Sequence, residues 1–446
     1  MDVACSGGVI THVGRAPDGA DVVLDAAGGA LLPGLHDHHV HLFALAAARR
    51  SVELGPPAVT DPTSFDAALT SARPSADGWV RGVGFHETVA GPLDRDRLDA
   101  LVPGAPVRVQ HRTGAMWVLN SAALATTGLA DLDDGRVERD VGGRATGRLY
   151  RLDGVLRARL GPAVADLTDV GRELSSYGVT GVCDMTPTED RADVEAMAAA
   201  ALPFDVVVTG GPGLPVGAAP TLPRGPVKFV LDDARLPPID SLVGGFRVAR
   251  RAGRAIAVHC VTRTELIVAL AAWDEVGPEP GDRIEHGAVI PAELVAGLRR
   301  RGLVVVTQPS FVAARGDQYL TDVDPDDRPH LWRCGTLLDA GIGVSAGTDA
   351  PFGDASPWRA IAAARDRRTP SGVVLGPADR ITAERALAMF LTPLDDPAGH
   401  PRRVQVGAPA DLCLLTTPLP EALAAAGDPA AALVAATIHA GAVVHR

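Results

Sequence analysis

Lysine and asparagine are almost absent from this chain of 446 residues, since Lys228 is its only lysine and Asn120 its only asparagine. Arginine supplies all the other basic side chains, and it stays protonated inside proteins. A buried lysine, by contrast, can lose its proton and act as a base, a nucleophile or a Schiff-base former. Chance survival of one lysine is the alternative. The apolar run at 225–233 that contains Lys228 is typical of a buried strand, and this setting favours chemistry there.

The chain also has little that would indicate a macromolecular partner or a secreted scaffold. Its five cysteines are widely spaced without a Cys-x-x-Cys pair, which disfavours a disulfide framework. The net charge is −12 and no basic tract occurs, so we expect no nucleic-acid partner. No apolar run approaches the ~18 residues of a membrane span, and no signal peptide is recognisable. We therefore expect a cytoplasmic protein with a small-molecule substrate and no membrane partner; a homodimer is left open.

Short β-branched runs that end in polar residues alternate with Ala/Leu/Arg-rich stretches over much of the chain. The runs lie at 31–41, 179–184, 204–209, 227–232, 255–259, 282–286, 303–308 and 342–349. Eight such strands are the number that closes a parallel (β/α)₈ barrel, whose active site lies at the carboxyl ends of the strands. The pattern predicts an α/β fold built on a distorted, TIM-like barrel.

Two further parts of the chain do not fit the βα repeat. The first and second strands are separated by far more residues than one βα unit needs, which predicts an inserted lobe at about 50–170, after strand 1. Both ends of the chain are β-like and are expected to form a small discontinuous β-sandwich domain from 1–31 and 402–446. The barrel itself would span 32–401. The β-like terminal runs are 3–14, 21–24, 411–416 and 435–445.

His39 and His41 stand two residues apart, so on a strand their imidazoles share one face and can point at one metal ion. Two surface histidines would give the same pattern. Other predicted strand ends add further candidate ligands, namely Lys228, His259, His286 and Asp349. These six side chains occupy strands one, four, five, six and eight, and they predict a metal site inside the barrel. Glu285 precedes His286, so alternation places it on the barrel exterior, paired with Arg283 or with a helix.

Several longer motifs occur in a fixed order along nearly the whole chain. They are Pro-Gly-x-x-Asp-x-His-Val-His-Leu (33–42), Trp-Val-Leu-Asn-Ser-Ala-Ala-Leu (117–124), Arg-Ile-Glu-His (283–286), Gln-Pro (308–309), Gly-Thr-Asp-Ala-Pro (347–351) and Gly-Ala-Pro-Ala-Asp-Leu (407–412). With them the chain resembles the amidohydrolase superfamily, in the branch that includes N-substituted formamide deformylases. The resemblance implies two divalent ions bridged by Lys228 after its carboxylation by CO₂ to a carbamate. It implies that His39, His41 and Asp349 bind the first ion, and His259 and His286 the second. The imidazole and carboxylate ligands favour zinc, and manganese, iron and cobalt fit the same set.

The same resemblance implies a metal-dependent hydrolase that cleaves a non-peptide C–N bond of an N-formyl, linear or cyclic amide with a metal-bridging hydroxide. Asp349 would take the proton of the water and pass it to the leaving amine. A deaminase of the same fold is one alternative, but it calls for His-x-x-Glu, and Thr262 stands three residues after His259. A non-catalytic binding protein on the same barrel is the other. The presence of all six candidate ligands disfavours it.

Substrate contacts are harder to predict, and the candidates are Trp117, Asn120, His86, His111 and Tyr319. Asn120 could instead cap a helix over 121–125. For the other four residues the alternative is a loop or core position without substrate contact. The related branch usually reads Gly-His before this tryptophan, whereas this chain has Gly114-Ala115. A substrate-facing histidine of the branch is therefore missing, and the identity of the substrate stays open.

Overall fold

The computed structural model describes residues 2–15, 19–56, 58–161, 166–214 and 222–446. Its contacts divide the chain into two compact units: the first comprises Met1–Leu42 with Leu167–Arg446, and the second Phe43–Asp166. Residues 16–18 of the predicted terminal β domain, and 57 and 162–165 of the predicted lobe, lie outside the described residues. None of the helices in the described part of the chain has the length and apolar character that crossing a bilayer requires.

The strands, in chain order, are β1 (Asp2–Ser6), β2 (Val9–Gly14), β3 (Leu31–Pro33), β4 (Leu35–Val40), β5 (Val52–Glu53), β6 (Val80–Phe85), β7 (Val107–His111), β8 (Met116–Leu119), β9 (Val137–Arg139), β10 (Ala145–Tyr150), β11 (Val179–Asp184), β12 (Asp205–Val208), β13 (Val227–Val230), β14 (Ile256–Cys260), β15 (Arg283–His286), β16 (Val304–Thr307), β17 (Val344–Ala346), β18 (Leu412–Leu415), β19 (Val434–His439) and β20 (Ala442–His445).

The α-helices are α1 (Leu42–Arg49), α2 (Pro62–Ser71), α3 (Glu87–Ala90), α4 (Arg95–Leu101), α5 (Ser121–Thr127), α6 (Asp153–Leu160), α7 (Thr168–Ser176), α8 (Arg191–Ala199), α9 (Ile239–Arg251), α10 (Arg263–Val276), α11 (Ala292–Arg301), α12 (Ser310–Asp322), α13 (Cys334–Asp339), α14 (Pro357–Asp366), α15 (Ala383–Ala388) and α16 (Leu419–Ala425).

Eight parallel strands of the first unit follow one another in chain order. Strands β4, β11 and β12 form one hydrogen-bonded sheet, and β13 to β17 form another. Lys228 N–H donates to the Gly210 carbonyl (3.1 Å) between β12 and β13, and Asp349 N–H donates to the His39 carbonyl (2.7 Å) after β17. The two sheets thus meet at both edges, and the TIM-barrel-like α/β fold predicted from the sequence is confirmed.

Burial on both faces explains the β-branched composition of the barrel strands. Every residue of β11, β15 and β16 is buried. On the outside, α9 turns Leu242, Val243 and Phe246 inward, and the ring of Phe246 lies 5.4 Å from that of Trp273 on α10. This helical layer packs against the strands and fixes their positions. The positions of the polar residues at the carboxyl ends of the strands are fixed with them.

The chain termini form antiparallel structure within the first unit. Strands β3, β18, β19 and β20 make a four-stranded sheet, and β1 pairs with β2. Ile10 on β2 belongs to the same buried apolar cluster as Leu412 and Ile438 of the larger sheet. The β-structure predicted at 21–24 is wrong, since these residues form no strand and Val22 and Val23 are 66% and 75% exposed. Two adjacent valines cannot hold a strand without a neighbouring strand to pair with.

The second unit is a mixed six-stranded sheet in the order β5, β6, β7, β8, β10, β9. Strands β6 and β7 run parallel, with Val80 opposite Val107 and Phe85 opposite His111. Helices α2 and α4 contribute Phe65 and Leu98 to its buried core. Parallel pairing brings the carboxyl ends of β6 and β7 to one edge of this sheet.

Glu189 is a buried carboxyl group in the loop after β11. It is only 5% exposed, and within the described residues neither of its oxygens accepts a hydrogen bond. Burial raises the pKa of Glu189 well above its usual range, and the neighbouring Asp184 carboxylate raises it further. Asp184 is itself fixed by the N–H groups of Leu42 (2.8 Å) and Thr186 (2.9 Å). Glu189 therefore holds its proton to a higher pH in the folded protein than in the unfolded chain.

This proton predicts a pH-dependent effect of Glu189→Gln on stability. At pH values below the unfolded-state pKa both states keep the proton, so the wild type retains its full stability there. Between that pKa and the raised folded-state pKa the unfolded state alone loses the proton, so wild-type stability falls as pH rises. Gln has a similar size, cannot titrate and brings no charge into the buried site. We expect the melting temperature of Glu189→Gln to lie a few degrees above that of wild type at pH 8. A change of 1 kcal/mol in the free energy of unfolding corresponds to about 2 °C. The difference should vanish near pH 4.

Thermal unfolding followed by circular dichroism at both pH values measures this difference. Glu195→Gln is the matched control, because Glu195 is an exposed glutamate on the adjacent helix α8. An equal gain for Glu189→Gln at pH 4 and pH 8 would contradict a protonated Glu189.

Candidate metal centre

The first barrel strand presents a polar interior face at its carboxyl end. Asp37, His39 and His41 alternate along it, and Asp37 and His39 are fully buried or nearly so. Their neighbour His38 points the other way, where its Nε2 lies 2.8 Å from Thr392 Oγ1 and burial lowers its pKa to about 3. The His-x-His spacing therefore directs two imidazoles to one side of the strand, as strand alternation predicts.

His39, His41 and Asp349 form a group whose potential ligand atoms converge. The Oδ1 atom of Asp349 lies 3.2 Å from His41 Nε2 and 3.6 Å from His39 Nε2. Within the described residues this Oδ1 nevertheless accepts no hydrogen bond. Atoms that bind one tetrahedral zinc ion lie about 3.3 Å apart, given metal–ligand bonds of about 2.1 Å. The spacing fits atoms that share a cation better than a donor and its acceptor.

Two more imidazoles lie beside this group. The His286 ring centroid is 4.8 Å from that of His39 and 4.4 Å from that of His259. His286 ends β15, and His259 lies one residue before the end of the neighbouring strand β14. The structure thus brings together histidines from three strands, although 247 positions separate His39 from His286 in the chain.

Lys228 lies on β13 and is 4% exposed. Its Nζ has no hydrogen-bond partner among the residues that the structure describes. Burial lowers the pKa of Lys228, and the carboxylates of Glu285 and Asp349 partly oppose this effect. A buried amine without a hydrogen bond is costly, so a further group is needed to satisfy it. Carboxylation requires the neutral amine, and burial favours that form.

The Nδ1 atoms of three imidazoles are held by neighbouring polar groups. His39 Nδ1 lies 2.5 Å from Glu285 Oε2, His41 Nδ1 lies 2.9 Å from Thr186 Oγ1, and His286 Nδ1 lies 2.7 Å from Gln308 Oε1. A carboxylate and an amide oxygen only accept, so His39 and His286 carry their protons on Nδ1 and leave Nε2 free. Burial lowers the pKa of His39 and of His286 well below the usual range. Neutral imidazoles with a fixed tautomer are what metal binding requires.

Glu285 corrects the sequence prediction. Its pairing with Arg283 is present, with Arg283 Nε donating to Oε1 at 2.6 Å, but the carboxylate lies inside the barrel and is fully buried. The interior face of β15 therefore carries Arg283 and Glu285. His286 would alternate outward, but its φ of +69° places it in the left-handed region and turns its side chain back toward the ligand group. Alternation failed because the strand ends at this residue.

Asp37 links the first strand to the segment after β17. Its Oδ1 accepts from the N–H groups of His39 (3.1 Å) and Thr348 (3.0 Å), and its Oδ2 accepts from Thr348 Oγ1 (2.5 Å). Gly347 allows the two strands to approach, because a Cβ there would lie 2.5 Å from the Cβ of His39. Asp349 follows with a φ of +56°. These contacts set the position of Asp349 against the two histidines.

The donor set fits divalent transition metals. It combines imidazole nitrogens with one carboxylate, the ligands that zinc, manganese, iron and cobalt accept. The unsatisfied atoms Lys228 Nζ and Asp349 Oδ1 lie in this same buried group. A bound cation would supply a partner for Asp349 Oδ1, and a carbamate would do so for Lys228 Nζ.

The predicted substrate residues of the second unit divide into two sets. Asn120 caps α5, since its Oδ1 accepts from Ala123 N–H and Val107 N–H and its Nδ2 donates to the Ala105 carbonyl. Its N-cap alternative is thereby confirmed, and a substrate contact by Asn120 stays a prediction. Trp117 is buried in the core of the unit, and its indole N–H donates to Asp153 (2.8 Å).

His86 and His111 lie together, with ring centroids 5.1 Å apart. Tyr319 lies in the first unit, on α12, with its ring 6.3 Å from that of Trp332. A substrate contact by any of these three residues stays a prediction.

Sequence reasoning missed the residues that orient the ligands. Gln308, Thr186 and Asp37 are polar residues that each contact a candidate ligand or its backbone. Gln308 and Thr186 closely follow barrel strands, and that position was the available signal for them, whereas Asp37 lies within the first strand.

Comparison with known proteins places the chain in a family. The model of the "Amidohydrolase family" matches residues 22–233 and 240–445. The N-substituted formamide deformylase of Arthrobacter pascens is 27% identical over 87% of this chain and 84% of its own length. An uncharacterized metal-dependent hydrolase from Pyrococcus horikoshii OT3 superposes with a TM-score of 0.74 over 92% of each chain, at 19% identity.

A more distant structure, the atrazine chlorohydrolase TrzN from Arthrobacter aurescens TC1 complexed with zinc, has a TM-score of 0.55 at 13% identity and covers 100% of this chain and 90% of its own. Likeness at this level of identity shows the barrel fold alone. The family match covers most of the sequence, including every predicted metal ligand. The chain therefore belongs to the amidohydrolase family.

Proposed function

We propose that this protein hydrolyses an N-formyl, linear or cyclic amide at a centre of two divalent ions bridged by carboxylated Lys228. As an amidohydrolase it is a metal-dependent hydrolase acting on C–N bonds other than peptide bonds. The finer proposal rests on one observation above all. Among the described residues the buried Lys228 Nζ has no hydrogen-bond partner, and its charge interacts with that of Asp349, whose unsatisfied Oδ1 lies among converging imidazoles.

Each ligand has a part in this proposal. His39, His41 and Asp349 would hold the first ion, and His259 and His286 the second. The neutral amine of Lys228 would add to CO₂, forming an N–C bond and releasing one proton, and the resulting carbamate would bridge the ions. When bound, such ions supply Lewis acidity and lower the pKa of a coordinated water. Zinc suits the imidazole-rich set.

Asp349 is the group placed to move protons. Its Oδ1 lies at the point where His39 and His41 converge, and no hydrogen bond from a described residue occupies it. It would accept the proton of the attacking water and deliver it to the nitrogen of the leaving amine. The amide C–N bond then breaks to a carboxylic acid and an amine, so formate is released from an N-formyl substrate.

The geometry supports amide hydrolysis over deamination. A deaminase would need a free carboxylate soon after His259, and the nearest one along the chain is Glu265. Its Oε2 accepts from Val261 N–H (2.6 Å) and Thr262 N–H (3.1 Å), and its Oε1 from Asp233 N–H (3.1 Å). Glu265 caps α10 and is fully engaged there.

A hydrolysis screen tests the substrate class. Zinc-loaded protein would be offered N-substituted formamides, N-acyl amino acids, cyclic imides and ureas, with aminopyrimidines and aminopurines as deaminase substrates. We expect amine release from one of the amide groups. Ammonia release from aminopyrimidines or aminopurines alone would contradict the proposal.

The proposed centre predicts a metal stoichiometry. Protein prepared with zinc and bicarbonate should contain at least two equivalents of zinc by elemental analysis. His39→Ala/His41→Ala should lose at least one of them, since both substitutions remove ligands of the first ion. A wild-type content of one equivalent or less would rule out two ions.

Lys228→Arg tests the carbamate. Arginine preserves the positive charge of a structural lysine, but it cannot form a carbamate and would place a permanent cation among the metal ions, where burial screens repulsion poorly. We expect a folded variant with reduced zinc content and activity near background. Lys228→Ala is the companion variant, because millimolar acetate or propionate can enter the cavity and partly restore activity. Near-normal turnover in Lys228→Arg would refute a carbamate at this position.

Asp349→Asn tests the proton transfer. Asparagine matches aspartate in size but cannot accept the proton, and general acid–base catalysis typically contributes about 10²- to 10⁴-fold. We expect kcat to fall by roughly this factor while the melting temperature changes little. Asp354→Asn, at a half-buried carboxylate a few residues later, serves as the control. A variant that keeps its zinc and stays within a few-fold of wild-type kcat would exclude Asp349 from this role.

A further inference from the structure

The second unit carries its own cluster of metal-binding side chains. His111 ends β7, and His86 directly follows the parallel neighbour β6. Phe85 lies opposite His111 in the register of the two strands. Both imidazoles therefore emerge at the same edge of the sheet, where Glu87 lies next to His86 in the chain.

The two imidazoles are held by the same local arrangement. Each histidine is followed two residues later by a threonine, Thr88 after His86 and Thr113 after His111. In both cases Nδ1 lies 2.8 Å from the threonine Oγ1. The metal ligand His41 of the barrel has the same kind of partner, with Thr186 Oγ1 at 2.9 Å. A hydroxyl that accepts from Nδ1–H leaves Nε2 available as a ligand.

Glu87 completes the cluster. Its Oε2 lies 3.1 Å from His111 Nε2 and 3.9 Å from His86 Nε2, and the ligand atoms of all three residues fall within 4.8 Å of one another. Ligands of one tetrahedral zinc ion lie about 3.3 Å apart. Shifts of at most about 1.5 Å would bring the three atoms to that spacing. Glu87 is 44% exposed, so its side chain has room to move.

We propose that His86, Glu87 and His111 bind a divalent transition-metal ion, zinc in the first instance, at a site built from the second unit alone. Two imidazoles favour zinc over magnesium, which prefers oxygen ligands. Three protein ligands leave the fourth position of a tetrahedral ion open to water or to an external group. The ion would tie the ends of β6 and β7 together.

A purely hydrogen-bonded cluster is the competing arrangement. The N–H groups of Thr88 and Thr113 also approach the two Nδ1 atoms, at 3.2 and 3.3 Å. If Nδ1 accepts from them, the proton sits on Nε2 and His111 donates it to Glu87. Zinc binding selects the other tautomer, with Nδ1–H donating to the threonine hydroxyl. The two arrangements therefore differ in zinc content.

Zinc content of the full chain distinguishes them. Wild type, Glu87→Ala and His111→Ala would be loaded with zinc under identical conditions and analysed after removal of free metal. We expect each variant to contain one equivalent less than wild type. His12→Ala is the matched control, since His12 is an exposed histidine whose Nδ1 lies 3.2 Å from Thr11 Oγ1. It should keep the wild-type content.

Two further measurements separate this site from folding effects and from the barrel centre. Glu87→Ala changes an exposed side chain and should retain the wild-type melting temperature, so its loss of zinc reports the site. Adding Glu87→Ala to the His39→Ala/His41→Ala variant should lower its zinc content by one further equivalent. This difference is expected even if the barrel binds no metal, so it tests the site in the second unit independently. Equal zinc in wild type, Glu87→Ala and His111→Ala would overturn the site in the second unit.

Discussion

Contact between the first and eighth barrel strands is the constraint on which the candidate centre depends. Gly347 lets the two backbones approach, and Asp349 N–H donates to the His39 carbonyl at 2.7 Å. The Asp37 carboxylate adds bonds to Thr348 on the far side of that junction. A side chain at position 347 would push the strands apart. The Nε2 atoms of the histidines and Oδ1 of Asp349 would then no longer converge.

Two candidate ligands occupy positions where regular strand geometry has ended. His286 and Asp349 both have positive φ, a conformation that costs a non-glycine residue roughly 1 to 2 kcal/mol. Gln308 holds the ring of His286 at 2.7 Å, and Asp37 holds the residue before Asp349. The strain is local and the contacts that maintain it are buried. Such positions concentrate at functional sites because the surrounding structure can impose them.

Rarity in the sequence had different causes at the two compositional outliers. Lys228 lies in the buried ligand group, where burial lowers its pKa and an arginine would keep its charge. The side chain of Asn120 instead hydrogen-bonds to backbone groups of Val107, Ala123 and Ala105, which makes it an anchor between a helix and a sheet. An amide is needed there because one side chain must both accept and donate. Asn120 is thus engaged in structural hydrogen bonds, whereas Lys228 lies near the candidate metal ligands.

The sequence alone determined the barrel and the identity of its six candidate ligands, because βα alternation is a local property and strand alternation places His39 and His41 on one face. It could not determine the outcome at Glu285, since the turn of His286 into the left-handed region depends on where β15 stops. It also could not show that Gln308 and Thr186 orient imidazoles, or that His86 and His111 meet at one sheet edge. These are long-range contacts, and pairing between strands distant in the chain decides them. Local sequence patterns identify the candidate side chains, and tertiary packing determines which of their atoms are in contact.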